Sequence, residues 1–131
     1  MTRTASCVCG ALKAHCEDEP VRRSICCCFA CQRRTGSAFG LNATWPEDKV
    51  RIEGESQAFT RTGDEGHWVR NHFCPRCATT LFWQIERRPG MISIAVGCFA
   101  DPGFPEPTVA VYSELGRPWI GFETAEPLSL E

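Results

Sequence analysis

The chain has 131 residues, a formal net charge of −2 and 43% hydrophobic residues, which suits one domain spanning 1–131 with a single core. Charges of both signs are scattered along it, so no basic footprint for nucleic acid is present. No apolar run approaches the roughly 18 residues that a membrane helix needs.

Ten cysteines set the sequence apart. The first residues, Met1-Thr2-Arg3-Thr4-Ala5-Ser6, lack the apolar core of a secretory signal, so a cytoplasmic location is expected. Thiols stay reduced there, which favours metal ligation over a disulfide framework.

Cys7-Val8-Cys9 reads as strand-like, with both sulfurs on one side, and Leu12 to Cys16 alternates like a half-buried strand. Phe29 to Arg34 has the look of a helical turn, and so does Pro46 to Lys49. Val50–Ile52, Ser56–Arg61, His67–Cys74, Thr79–Ile85 and Met91–Val96 are rich in β-branched and aromatic residues. Polar turns separate them at Glu53–Glu55, Thr62–Gly66 and Arg88–Gly90. The pattern predicts a mainly β fold of antiparallel sheets with few short helical turns. The proline-rich last third should wrap over the sheet as loop and edge strand, anchored by Trp119 and Phe122 and loose from about residue 124. Phe39, Trp45, Phe73, Phe82, Trp83 and Trp119 are the expected core aromatics.

The cysteines fall into two groups. Cys7 and Cys9 offer two sulfurs, and Cys74-Pro75-Arg76-Cys77 is a CxxC turn that curls two more around an ion. Together they close a tetrahedral shell, leaving no open position, so the role is structural. In Cys26-Cys27-Cys28-Phe29-Ala30-Cys31, the first and third cysteines share a face, Cys27 points away, and a turn brings Cys31 round. Three protein ligands with an open position are the pattern of a catalytic or ligand-binding zinc. The alternatives are a second structural site completed by Cys27, Cys98 or a histidine, and an iron–sulfur cluster, which usually takes four thiolates. Gln32, Arg33, Arg34, Thr35, Gly36 and Ser37 follow directly and offer groups for a small carboxylate-bearing ligand, with Phe29 lining the site. Cys16, Cys27 and Cys98 read as small apolar fillers, with a pocket-wall thiol as the other reading of Cys98.

The ordered motifs CxCG, CxCxxC with a following Arg-x-Thr-Gly-Ser, Phe-Cys-x-x-Cys, Val-Gly-x-Phe-x-Asp-Pro and Pro-Trp resemble the glutathione-dependent formaldehyde-activating enzyme family. The centromere protein V domain is a member of the same family. The match runs from about Ser6 to Trp119. The resemblance implies an Mss4-like zinc fold and two zinc ions per chain. Cys7, Cys9, Cys74 and Cys77 would hold a structural ion. Cys26, Cys28 and Cys31 would hold a second, glutathione-associated ion that is the more readily lost. It also implies a carbon–sulfur lyase or synthase that handles the S-hydroxymethyl adduct of glutathione and formaldehyde. Several positions depart from the family pattern. Cys27 stands where histidine or asparagine is frequent, Gln32 for arginine, Ala78 for glycine, Ala100 for aspartate and Ala110 for histidine. None of these is a metal ligand.

Three thiolates leave Zn²⁺ with a net charge of about −1, a poor electrophile for a carbonyl but a good partner for a fourth, soft sulfur. Such ground-state binding does not by itself raise turnover. His15, His67 and His72 lie in strand-like stretches and provide no evident general base. The reading is therefore a zinc-dependent thiol protein, with a non-catalytic glutathione carrier, or a structural module, as the alternatives.

Overall fold

The structure, a computed structural model, describes residues 1–131. It is mainly β, as the alternation of the sequence predicts. Strands β1 (Thr2–Ser6), β2 (Lys13–Glu17) and β5 (Val50–Glu53) form a small antiparallel sheet in the order β1-β2-β5. The larger sheet has eight strands: β3 (Arg22–Cys26), β4 (Gly40–Pro46), β6 (Gln57–Thr62), β7 (Trp68–Phe73), β8 (Thr80–Ile85), β9 (Met91–Ala95), β10 (Val109–Val111) and β11 (Ser129–Leu130). Their order is β11-β10-β3-β4-β9-β8-β7-β6. Every pairing in it is antiparallel except at one edge, where β10 runs parallel to both β3 and β11. The single α-helix, α1 (Phe29–Thr35), connects β3 to β4. No helix is long and apolar enough to cross a membrane.

The two faces of the large sheet have different fates. Ala43, Trp45, Phe82, Ile92 and Ile94 project to one side, where they pack against Leu12, Ala14 and Cys16 of the small sheet and its β1–β2 turn. Trp45 is fully enclosed, and its indole N–H donates to the Asp18 carbonyl at 3.1 Å, so no polar atom is stranded by the burial. The register places Cys26, Gly40, Thr44, Ser93, Trp83, Asn71, Phe59 and Arg61 on the opposite face. Here α1 packs on β4, Thr44 and Trp83 are buried, and Phe59 remains 60% exposed.

Several local expectations change. Cys7 to Gly10 is a turn rather than a strand, closed by the Gly10 N–H on the Cys7 carbonyl at 3.1 Å, because the β1–β2 hairpin reverses there. Of the expected core aromatics, Trp45, Phe82 and Trp83 are buried, whereas Phe39 and Phe73 are half-buried. Trp119 is 77% exposed: it sits in the irregular segment after β10, where no sheet face lies over it. Phe122 does anchor that segment, edge-on to Phe39 with ring centroids 4.9 Å apart. Residues from 124 onward are irregular until β11. There Glu131 forms a two-pronged ion pair with Arg22, at 2.8 and 3.1 Å.

Candidate metal centre and adjoining site

The turn between β1 and β2 supplies Cys7 and Cys9, and the turn between β7 and β8 supplies Cys74 and Cys77, so each sheet contributes one hairpin loop. The four sulfurs converge within 4.8 Å of one another. Cys9 Sγ lies 3.7 Å from both Cys7 Sγ and Cys74 Sγ. A tetrahedral ion with metal–sulfur bonds of about 2.3 Å, the zinc value, requires sulfurs about 3.8 Å apart, so the donor set fits. Donors surround it: Leu12 N–H to Cys7 Sγ at 3.2 Å, Arg76 N–H to Cys74 Sγ at 3.4 Å, and the Thr79 hydroxyl 3.2 Å from Cys77 Sγ.

The thiol acidities show why this arrangement calls for a cation. The Thr79 hydroxyl and backbone hold Cys77 down at about 5. Cys9, despite a backbone hydrogen bond from Ala11, is pushed up to about 11 by burial and by the neighbouring thiols. Four like charges cannot all be accommodated in this space unless a positive ion sits among them. Ala78, which follows Cys77, adopts φ 67°, the left-handed region that favours glycine, and its N–H closes the knuckle on the Cys74 carbonyl at 2.8 Å. Its departure from the family's usual glycine is therefore a strained one. Ala100, the other alanine departure with positive φ, sits at 49°.

The second group is local. Cys26 ends β3, Cys28 caps α1 by accepting the Cys31 N–H at 3.3 Å, and Cys31 lies one turn into the helix. Their sulfurs also fall within 4.8 Å of one another, with no fourth His, Cys, Asp or Glu among them. Hydrogen bonds from Cys26 and Cys31 hold the Cys28 thiol far below its ordinary range, while hydrogen bonds with Cys28 and Cys31 push Cys26 up. Cys16, Cys27 and Cys98 stand outside both groups. Burial raises all three, Cys16 to about 12, as befits thiols that stay neutral.

The residues after the second group are placed as follows. Phe29 opens α1 and is 52% exposed beside the cysteines. Arg33 and Ser37 are exposed. The Gln32 side chain is buried and donates to the Cys27 and Leu115 carbonyls at 2.9 and 3.1 Å, so it ties α1 to the residue before the helix and to the 3-10 turn after β10. The Thr35 hydroxyl donates to the Cys31 carbonyl at 2.9 Å, and Gly36 caps the helix at φ 67°. Those two groups serve the helix C-terminus.

Arg34 is the arginine of that run that turns inward. Its guanidinium lies over the Trp83 ring, 4.1 Å from the centroid, and its buried Nη2 has no hydrogen-bond partner. A Cβ on Gly40 would come within 2.8 Å of that nitrogen and 3.5 Å of Cys31 Cβ, so glycine is what lets the arginine settle beside the cysteines. Nearby, Asn42 Oδ1 is likewise buried without a partner. An arginine beside a thiol group is a visible signal, but only the register shows which arginine faces inward. Of two cavities, one of about 270 Å³ lies beside Arg22 and one of about 210 Å³ runs from Asn42 to Phe104.

The model of the family described as glutathione-dependent formaldehyde-activating enzyme matches residues 2–114. A crystal structure of a Rhodobacter sphaeroides protein shares the fold with a TM-score of 0.56 at 20% identity, covering 78% of this chain and 90% of that one. No curated protein matches the chain.

Proposed function

The chain belongs to the glutathione-dependent formaldehyde-activating enzyme family, and on that premise we propose that it binds glutathione or a related thiol at a zinc ion held by Cys26, Cys28 and Cys31, and handles the thiol's S-hydroxymethyl adduct with formaldehyde. The observation that carries this reading is the inequality of the two cysteine groups: four sulfurs in one, three in the other. Four thiolates close a tetrahedral shell, which assigns a structural zinc to Cys7, Cys9, Cys74 and Cys77. Three leave a position for an external sulfur. Zinc bound there would keep that sulfur deprotonated near neutral pH. The protein's own contribution is to bring the three sulfurs together at the end of β3 and the start of α1.

A non-catalytic thiol carrier is the second reading, favoured by the placement of the histidines. His15 pairs with Glu53 at 2.9 Å, His67 lies 3.7 Å from Glu86, and His72 stacks on Phe82 while bonding Gln84 at 3.1 Å. None joins either cysteine group, so no imidazole base is at hand. The test is to measure metal content, titrate the metal-loaded protein with glutathione, and follow hydroxymethylglutathione formation by NMR exchange. Two zinc ions per chain, heat on titration and an accelerated exchange are expected. No heat at millimolar glutathione would sink both readings, and equal exchange rates with and without protein would leave the carrier.

A further inference from the structure

The cavity of about 270 Å³ lies on the same face of the large sheet as Cys26, but at the other end of the strands. Its lining includes Arg22, Thr44, Met91 and Val109, which the strand register places on that one face. Arg22 opens β3 and Cys26 closes it, so the two are about 13 Å apart along the strand. Arg88, in the turn between β8 and β9, and Thr108 complete the polar lining.

Two guanidiniums meet one carboxylate here. Both Nη atoms of Arg22 donate to Glu131, at 3.1 and 2.8 Å. Arg88 has no hydrogen-bonding partner; partial burial and the Arg22 charge push it below its ordinary value, and Glu131 offsets part of that. Glu131 carries one negative charge and satisfies one arginine, so a positive charge is left over. A tetrahedral dianion would balance both guanidiniums at once, and the planar donor forks of arginine suit phosphate oxygens. The Thr44 hydroxyl is already engaged with Ser93 Oγ at 2.8 Å, whereas the Thr108 hydroxyl has no partner in the chain and is free to donate. Val109 and Met91 add an apolar wall, which suits the organic part of an ester.

We propose that this cavity binds phosphate or a phosphomonoester as the dianion, which engages Arg22 and Arg88 together and displaces the Glu131 side chain. The site is separate from the three cysteines and does not depend on thiol binding. Displacement also reaches the backbone. Glu131 ties β11 to β10 through its N–H on the Ala110 carbonyl at 2.9 Å and through its own carbonyl, which accepts the Tyr112 N–H at 3.2 Å. Loss of the side-chain anchor should loosen that edge of the sheet.

The experiment titrates the metal-loaded protein with inorganic phosphate at about pH 8, where phosphate is doubly charged, and separately with acetate, while backbone amide signals are followed by NMR. Phosphate should shift the amides of Arg88, Thr108 and Val109 at millimolar concentration and speed amide exchange at Glu131 and Tyr112. Acetate should bind at least about tenfold more weakly. R88Q should weaken phosphate binding about tenfold and E131Q should strengthen it about tenfold, the scale of a charge-assisted hydrogen bond. Arg88 lies in an exposed turn, so its replacement leaves the fold intact. C28S, which disables the three-cysteine group, should leave phosphate affinity unchanged. No response to phosphate at tens of millimolar in both the unaltered protein and E131Q would overturn the site. So would equal affinity for acetate, an R88Q affinity matching that of the unaltered protein, or loss of phosphate binding in C28S, which would put the anion at the cysteines instead.

Discussion

Replacing Cys74 with serine tests whether the four-cysteine group staples the two sheets. Cys74 is fully buried, its sulfur lies 3.7 Å from that of Cys9, and 65 positions separate the two in sequence. Treated as a cross-link closing a loop of that length, the ion removes roughly 4 kcal/mol of chain entropy from the unfolded state. The binding energy of a structural zinc, about 10–16 kcal/mol, contains that contribution and exceeds it. The whole stability of a domain is about 5–15 kcal/mol. C74S should therefore be largely unfolded at 25 °C, or fold only as a loosened state. Urea melts followed by tryptophan fluorescence, with and without a chelator, would measure it. The buried Trp45 and Trp83 report the sheet's integrity, whereas the exposed Trp119 adds a constant background. If C74S melts within about 1 kcal/mol of the unaltered protein, and a chelator affects neither, then no ion holds the sheets together and the structural role is refuted.

Cys28→Ser should behave differently. One ion per chain is lost by elemental analysis while the circular dichroism spectrum persists, because serine still caps α1 and the three-cysteine group spans only the end of β3 and the start of α1. Ala78→Gly should stabilise the protein by about 1 kcal/mol, by releasing a left-handed alanine at φ 67°; an unchanged melting midpoint would show that the knuckle relaxes around it. Gln32→Ala should cost about 1–3 kcal/mol by leaving the Cys27 and Leu115 carbonyls without their donor, measured by the same melts. The Glu131 carboxyl is held below its ordinary 4.5 by hydrogen bonds from Arg22, so its contribution is present above that value and disappears as pH falls through the lowered one. Amide exchange at Glu131 and Tyr112, whose N–H groups tie β11 to β10, should accelerate over that acid range in the parent protein. In Glu131→Gln the acceleration should vanish.

The two cysteine groups were legible because spacing restricts where thiols can meet: a CxxC turn and a C-x-C-x-x-C run each bring their own sulfurs together. The strands from β5 to β9 were equally plain, since each alternates or concentrates β-branched and aromatic residues. What escaped was the partition of residues between the sheet's two faces. Trp83 and Phe82 are adjacent and equally apolar, yet one packs into the core and the other supports Arg34, a distinction fixed by pairing with β9. Gln32, Thr35 and Gly36 looked like ligand groups because donors at a binding loop and donors at a helix terminus are the same residue types. Strands β3 and β4 carry arginines, an asparagine and a glycine that local propensity disfavours. Their place in the middle of the sheet comes from neighbours far away in sequence.

The division of the four-cysteine group between two hairpins also has a consequence for synthesis on the ribosome. Cys9 emerges 65 residues before Cys74. At about 5–20 residues per second, the first pair of thiols waits roughly 3–13 seconds for the second. During that interval Cys26, Cys28 and Cys31 are already complete as a local chelator. The group that closes last is the one that joins the two sheets, so unpaired thiols at residues 7 and 9 meet oxidant well before the sheets exist.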